Sequence, residues 1–252
     1  MSKTIFTWNI NCATNRSILI PDFVGEEIAQ QNCDFFVLTE FCKTKNLKSF
    51  IDSYITENNY DYVLTNNPEG HNDILIAWKK RDYQKISEEK DVKTTGEHPN
   101  FAYVELQDKN SEQKIVIAGI RITIESYINR QKQLRYVLNC LKKFESNRII
   151  IAGDFNCLRR DTFVKEWNLN VLSDMSKNEM YNITTPEGQS IYAEKASRTE
   201  YEFVILGSVI VLRKLAKPVT GGEPSGLSLF CYIEVNTMTK KYLPALSSKY
   251  NI

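Results

Sequence analysis

The sequence predicts an α/β protein in which helices pack on β-sheets, and three observations lead to this fold class. The chain has 252 residues with 42% hydrophobic and 25% charged side chains, the composition of a globular protein with a substantial core. Strand-length apolar runs recur along the chain, and two segments between them change to the spacing of an amphipathic helix. The sequence has no linker or repeat that marks a boundary, so we expect a single domain over residues 1–252.

Nine apolar or β-branched runs have the length of strands, and polar or turn residues bound each of them. In chain order these runs are 4–10, 34–40, 61–65, 73–79, 101–107, 114–122, 148–154, 202–212 and 229–235. The run 79–91 alternates positive and negative side chains instead, and we expect it to be a surface connection.

The two helical segments have apolar residues three and four positions apart, so that one face of each helix lies on a sheet. The apolar positions are Leu47, Phe50, Ile51, Tyr54 and Ile55 in the first segment, and Leu134, Val137, Leu138, Leu141 and Phe144 in the second.

The charge balance excludes any overall attraction to nucleic acid or to an anionic membrane. Lys plus Arg total 32 against 31 Asp plus Glu, a net charge of +1, so a phosphate-bearing partner needs a local binding site. The N-terminus lacks the apolar stretch of a secretion signal, and no window approaches the roughly 20 apolar residues of a membrane span. We therefore expect a cytoplasmic protein with no membrane partner.

The six cysteines predict neither a disulfide framework nor a zinc site. They lie singly at positions 12, 33, 42, 140, 157 and 231, with no C-x-x-C motif. This scatter indicates buried free thiols.

The most informative segment is IIIAGDFNC, residues 149–157. Its three isoleucines predict a strand buried on both faces, and Gly153 releases the chain at the end of that strand. Asp154 and Asn156 are two positions apart and can point to the same side. A carboxylate and an amide at the end of a buried strand suit a metal, a phosphate or a positioned water, although Asp and Asn also end strands by capping turns.

Two other strands end in oxygen-bearing side chains. TWNIN places Asn9 after an apolar run, and FFVLTE ends in Glu40. Together with Asp154 and Asn156 they form an oxygen-rich set of the kind that Mg²⁺ prefers.

The order of these motifs resembles the endonuclease/exonuclease/phosphatase superfamily, which has the deoxyribonuclease I-like fold. The motifs are TWNIN, then LTE, then a helix with R-x-x-Q-L at 130–134, then AGDFN, then a strand that begins with an acid. The resemblance implies a four-layered αββα sandwich of two mixed β-sheets flanked by helices, with the active site at one end of the sheets.

The resemblance also implies roles for the matching residues. Asn9 would contact the phosphate and the metal, and Glu40 would bind Mg²⁺, with Mn²⁺ as an alternative ion. Asp154 and Asn156 would orient the attacking water and bind the phosphate. In metal-assisted hydrolysis the cation offsets the charge that develops on the phosphoryl oxygens.

Three positions depart from the family pattern. Arg121 takes the place of a Tyr or His and can bind a phosphate as a fixed cation, but it cannot shuttle protons near neutral pH. Glu202, or less favourably Glu200, replaces an Asp that belongs with the metal site. Gly226 and Leu227 stand where the family has a catalytic Asp-His pair.

The loss of the Asp-His pair leaves the proton-transferring group to be found elsewhere. The chain has two histidines, His71 and His98, and each is either a surface residue or a replacement base. We take His98 as the candidate, because it precedes a strand whose beginning lies near the phosphate in nuclease relatives.

The sequence as a whole favours a Mg²⁺-dependent phosphodiesterase, a nuclease acting on DNA or RNA as a monomer, with impaired or altered catalysis. A pseudoenzyme that binds phosphate or nucleic acid, and a phosphatase for a small or lipid phosphate, are the alternatives.

Overall fold

The computed structural model describes residues 3–10, 19–68, 72–91, 98–123, 126–144, 149–155, 181–184, 211–214 and 229–231. In chain order the elements are β1 (Lys3–Asn9), α1 (Asp22–Gln31), β2 (Phe35–Phe41), α2 (Leu47–Phe50) with a π-helical continuation (Ile51–Thr56), β3 (Tyr60–Leu64), β4 (Asp73–Lys79), β5 (Tyr83–Asp91), β6 (Asn100–Asp108), β7 (Lys114–Arg121), α3 (Tyr127–Leu141), β8 (Ile149–Asp154), β9 (Tyr181–Thr184), β10 (Val211–Lys214) and β11 (Leu229–Cys231).

The strands form two mixed sheets. The first has the order β11-β1-β2-β4-β3 and the second the order β5-β6-β7-β8-β10-β9. In the first sheet β1 runs parallel to β2, and in the second β7 runs parallel to β8, while the pairs β2–β4 and β6–β7 are antiparallel. The carboxyl ends of β1 and β2, and likewise those of β7 and β8, therefore meet at one edge of each sheet.

Three apolar clusters hold four layers together. Side chains such as Val37, Ile76 and Ile117 pack between the two sheets. On the outer face of the first sheet, Val24 of α1 packs among the residues of β2 and the π-helical segment, and on the outer face of the second sheet Val137 of α3 packs on β7 and β8. The predicted αββα sandwich is therefore confirmed.

The prediction of a surface connection at 79–91 is wrong. Residues 83–91 form β5, which pairs antiparallel with β6 along its length. Only the first side chain of the strand, Tyr83, is buried, and the exposed positions carry mostly Lys and Glu. Charged side chains on an outermost strand prevent pairing with another chain, and they also hide the strand from an apolar-run reading.

Two elements escaped prediction because their patterns are weak. Helix α1 buries only Val24, Gly25 and Ile28, and it ends at Asn32, whose φ of 45° is left-handed. Strand β9 has four residues. Of the predicted strand 202–212, residues 211 and 212 lie in β10, and the rest lies outside the described residues.

Cys33 and Cys42 are buried free thiols, as predicted, and Cys140 is a half-buried one. In the part of the chain that the structure describes, no helix is both long and apolar enough to cross a membrane.

The backbone conformation of Gly153 places Asp154 at the edge of the second sheet. Its φ is +133°, and a Cβ added there would lie 2.2 Å from the carbonyl oxygen of Ile120 on the neighbouring strand. We predict that Gly153→Ala lowers the free energy of unfolding by about 2 to 4 kcal/mol, because it adds backbone strain to a clash. Urea denaturation measures this loss.

Gly119→Ala is the matched control on the adjacent strand. Its added Cβ would meet a side-chain methyl of Ile74 at 2.5 Å, and a side chain can shift where a backbone carbonyl cannot. A smaller loss than for Gly153→Ala is expected, and equal losses would contradict the backbone argument.

Candidate functional site

Four of the predicted site residues come together at one end of the sandwich. Asn9 and Glu40 lie at the ends of β1 and β2, and Arg121 and Asp154 at the ends of β7 and β8. In the first sheet Asn9 is in register with Thr39, and in the second Arg121 is in register with Asp154. Two neighbouring strand ends of one sheet thus face two of the other.

A hydrogen bond across the sheets joins Asn9 to Asp154. The Asn9 Nδ2 donates to Asp154 Oδ2 over 2.9 Å, and Asp154 is completely buried. Ile150 and Ala152 of the same strand face the other sheet, and alternation places Asp154 on that side too. The amide replaces water that the carboxylate loses on burial, and it turns its own carbonyl oxygen away from Asp154.

A bulge at the end of β2 turns Glu40 toward the second sheet. Phe36 and Leu38 pack on the outer, helix-covered face, so strict alternation would put Glu40 there as well. Instead the register with β4 shifts between Leu38 and Phe41, and Glu40 adopts a left-handed φ of 56°. The extra residue re-aims the side chain into the site.

Glu40 forms the second bond across the sheets, with Arg121. Both Nε and Nη2 of Arg121 donate to the same oxygen, Glu40 Oε1, each over 3.1 Å. The Arg121 and Glu40 side chains are only 12% and 10% exposed. Removing one partner of a buried ion pair typically costs about 3 to 5 kcal/mol, because the other charge loses both its water and its partner.

Helix α3 fixes the segment that follows Arg121. Gln133 is completely buried, its Oε1 accepts from the backbone N–H of Thr123 over 2.9 Å, and its Nε2 donates to Thr123 Oγ1 over 2.7 Å. The R-x-x-Q-L motif located this helix in the sequence, but its glutamine was not predicted to support the site.

Asn72 and Asn100 extend the polar end of the sandwich and were also missed. Asn100 is in register with Arg121, is completely buried, and donates its Nδ2 to the carbonyl oxygen of Asn72. Among the described residues, the Oδ1 atoms of both asparagines and the hydroxyls of Thr7 and Thr39 are buried with no hydrogen-bond partner. Polar residues just before the strands NDIL and PNFAY were the available signal.

The structure places His98 in a different group. Its ring lies against Tyr136 of α3 with centroids 4.3 Å apart, and its Nδ1 is 3.7 Å from Asp91 Oδ2 at the end of β5. Tyr136 donates to the same carboxylate over 2.6 Å, and this hydrogen bond raises the pKa of Tyr136. His98 thus contacts residues on the α3 side of the second sheet, and its catalytic role stays a prediction.

The remaining predicted residues lie outside the described residues. They are Asn156, Glu202, Glu200, Gly226, Leu227 and His71. Their roles stay predictions.

Glu40 and Asn9 are the described residues that the resemblance assigns to a metal ion. Within the described residues, no group of three His, Cys, Asp or Glu side chains is placed to hold a metal ion. Mg²⁺ keeps several waters and needs only one or two protein carboxylates, so the carboxylate of Glu40 and the amide oxygen of Asn9 fit it. Glu40 and Asp154 supply carboxylates at this site, and Arg121 supplies a guanidinium.

Comparisons with solved structures agree with this fold. D. rerio TDP2 complexed with a single-strand DNA product is 17% identical with a TM-score of 0.56, and the match covers 87% of this chain and 85% of that one. A mannosyl-6-phosphatase from Bacteroides thetaiotaomicron is 12% identical with a TM-score of 0.56, covering 84% of each chain. An endonuclease/exonuclease/phosphatase family protein from the same organism is 11% identical with a TM-score of 0.56, covering 83% of this chain and 82% of that one.

At these identities the likeness establishes the fold. No family model matches the sequence. No curated protein sequence matches it either.

We predict that Glu40 and Arg121 are energetically coupled. Arg121→Gln should lower the free energy of unfolding by about 3 kcal/mol, and Glu40→Gln by a similar or smaller amount, since each leaves a buried charge unpaired. The double variant should lose less than the sum of the two, because it leaves neither charge behind. Denaturant titration in the presence of a chelator measures all three.

Arg81→Gln is the control for the loss of an arginine. Arg81 pairs with Asp82, but its side chain is 69% exposed, so a change within about 0.5 kcal/mol is expected. Strictly additive losses for Glu40 and Arg121 would show that the pair is not coupled.

Proposed function

We propose that this chain, which has the fold of the endonuclease/exonuclease/phosphatase superfamily, is a metal-assisted phosphoric ester hydrolase that acts on nucleic acid. One observation carries the proposal. Two bonds across the sheets, Asn9 to Asp154 and Glu40 to Arg121, gather two carboxylates, an amide and a guanidinium at one end of the sandwich.

Each of these groups suits a step of phosphodiester hydrolysis. Asp154, held by Asn9, would orient the attacking water as a hydrogen-bond acceptor. Arg121 offers a permanent positive charge for a phosphate oxygen. Glu40 and the amide oxygen of Asn9 would hold Mg²⁺, or Mn²⁺, and the ion would supply charge stabilisation at the phosphoryl oxygens.

Two residues outside the described part complete this proposal. Asn156 would contact the phosphate beside Asp154, and Glu202 would add a second carboxylate for the metal. His98 is the proposed base. It would replace the family's Asp-His pair, whose positions Gly226 and Leu227 occupy in this sequence.

A nucleic-acid substrate is the proposal that the fold neighbours support, since D. rerio TDP2 was solved with a single-strand DNA product. The net charge of +1 means that binding would depend on the site rather than on a basic surface. We further propose that the protein is monomeric and cytoplasmic, which gel filtration with light scattering and localisation of the tagged protein would test.

Two alternatives have specific support. Gly226 and Leu227 cannot transfer protons, which favours a protein that binds phosphate without hydrolysing it. The fold neighbour named mannosyl-6-phosphatase favours a small phosphate monoester as substrate. Assays with plasmid DNA, single-stranded RNA, mannose 6-phosphate and inositol phosphates, each with and without Mg²⁺, separate these functions.

We predict that Asp154→Asn lowers the rate of phosphodiester cleavage by about 10²-fold or more, because the neutral amide no longer orients the attacking water with a negative charge. The measurement is the initial rate of cleavage of a labelled oligonucleotide. Asp82→Asn is the matched control, since Asp82 pairs with Arg81 on the surface. Equal rates for both variants would remove Asp154 from the mechanism.

Restoring the missing pair tests the proton-transfer step. Gly226→Asp combined with Leu227→His should raise the cleavage rate by about 10²- to 10⁴-fold, the usual contribution of general acid–base catalysis. Activity of the original protein that His98→Ala abolishes, with thermal unfolding unchanged, would identify His98 as the base instead. Retained oligonucleotide binding with no cleavage in any form would support the binding protein.

A further inference from the structure

Glu40, the carboxylate proposed to bind the metal, is already paired with the guanidinium of Arg121 in the structure. Arg121 directs two N–H groups at one oxygen of Glu40, and both side chains are nearly buried. Glu40 can therefore bind a metal only if the guanidinium of Arg121 gives up this carboxylate.

Glu40 and Arg121 would therefore each be used twice in the proposed reaction. Glu40 faces Arg121 in the structure and a divalent cation during hydrolysis. Arg121 faces Glu40 in the structure and a phosphate during hydrolysis. A guanidinium binds carboxylate and phosphate by the same geometry of parallel N–H donors, so one partner can replace the other.

We infer that Arg121 competes with the divalent cation for Glu40, and that the two exchanges are coupled. When Glu40 takes the cation, the guanidinium of Arg121 loses its carboxylate partner and becomes available to a phosphate oxygen. When Arg121 binds phosphate, it leaves Glu40 to the cation. The inference rests on the proposed function for the identity of the two ligands, but it concerns binding and not turnover.

The surroundings of the pair restrict how Arg121 can move. Gln133 holds Thr123, two residues beyond Arg121, and the backbone N–H of Ile122 donates to the carbonyl oxygen of Asp154 over 2.8 Å. The backbone that follows Arg121 is therefore held in place, and the proposed exchange needs only a rotation of the Arg121 side chain.

The exchange is measured on the full chain, without any assay of activity, in two ways. Isothermal titration gives the affinity for Mn²⁺ with and without inorganic phosphate. Nitrogen-15 NMR follows the Nε–H signal of Arg121, assigned by its absence from Arg121→Gln, as Mg²⁺ and then phosphate are added.

We expect phosphate to tighten Mn²⁺ binding by about 5- to 100-fold in the original protein, the range typical of coupled sites. Arg121→Gln should bind Mn²⁺ about tenfold more tightly without phosphate, since the competing cation is gone, and should show a smaller effect of phosphate. The Nε–H signal should shift on addition of Mg²⁺ and shift again with phosphate.

Two control variants locate the effect. Arg81→Gln removes an arginine of the surface and should leave Mn²⁺ affinity within twofold of the original. Glu40→Gln should abolish the tight Mn²⁺ site. The NMR titration of the original protein needs no variant to fold.

An Nε–H signal that Mg²⁺ leaves unmoved while Mn²⁺ binds tightly would overturn the exchange, as would equal Mn²⁺ affinities for Arg121→Gln and the original protein. Neither result depends on hydrolysis. Failure of the proposed function would appear separately, as cation and phosphate binding without cleavage.

Discussion

The end of this sandwich depends on a ring of four side chains, which two side-chain bonds link between the sheets and backbone strand pairing links within each sheet. Asn9 bonds to Asp154 across the sheets, and Arg121 bonds to Glu40 across the sheets. Within each sheet the strands are in register, Arg121 beside Asp154 and Asn9 beside Thr39, which precedes Glu40. Asp154 and Glu40 are buried and Arg121 nearly so, and each has an oppositely charged or hydrogen-bonding partner on the facing sheet. The ring therefore lets charges occupy the boundary of an apolar interior that would otherwise exclude them.

A second ion pair across the sheets closes the opposite end. Lys3 at the start of β1 lies 3.0 Å from Asp108 at the end of β6. Burial by itself would raise the pKa of Asp108, but hydrogen bonds from Lys3 and from the backbone N–H groups of Asn110 and Ser111 lower it. Asp108 thus takes its partners from Lys3 on the facing sheet and from the turn that follows β6. The pair of Glu40 and Arg121 instead lies among buried polar atoms without partners, such as Asn100 Oδ1 and the Thr39 hydroxyl. Unpaired polar atoms of this kind indicate a place where water or a ligand binds.

The sequence allowed the site to be predicted where the side chains follow strand periodicity, and failed where they do not. Asp154 follows Ile150 and Ala152 at intervals of two, so a buried strand that ends in GD was enough to place it. Glu40 was predicted from its position at a strand end and from the resemblance, but its direction was not, since the bulge that turns it inward has no signature in FFVLTE. The sequence predicted that His98 precedes β6, but it could not predict on which face of the second sheet the side chain lies. In the structure the ring packs against Tyr136 of α3. Gln133 was missed because its hydrogen bond to Thr123 forms only when α3 packs beside the end of β7, which the sequence pattern does not show.

Binding of a ligand and transfer of a proton are different tasks, and the ring serves the first of them. Its members hold charge and orientation, and its two side-chain bonds join Asn9 to Asp154 and Glu40 to Arg121. The proposed substitution of an Asp-His pair by Gly226 and Leu227 would remove proton transfer, whereas the two bonds of the ring are made by other residues. Retention of the ring does not by itself require catalysis, because a buried pair such as Glu40 and Arg121 also resists loss of either partner for reasons of stability. Binding and turnover thus have different structural requirements in this chain, and equilibrium binding is the property that the ring alone can support.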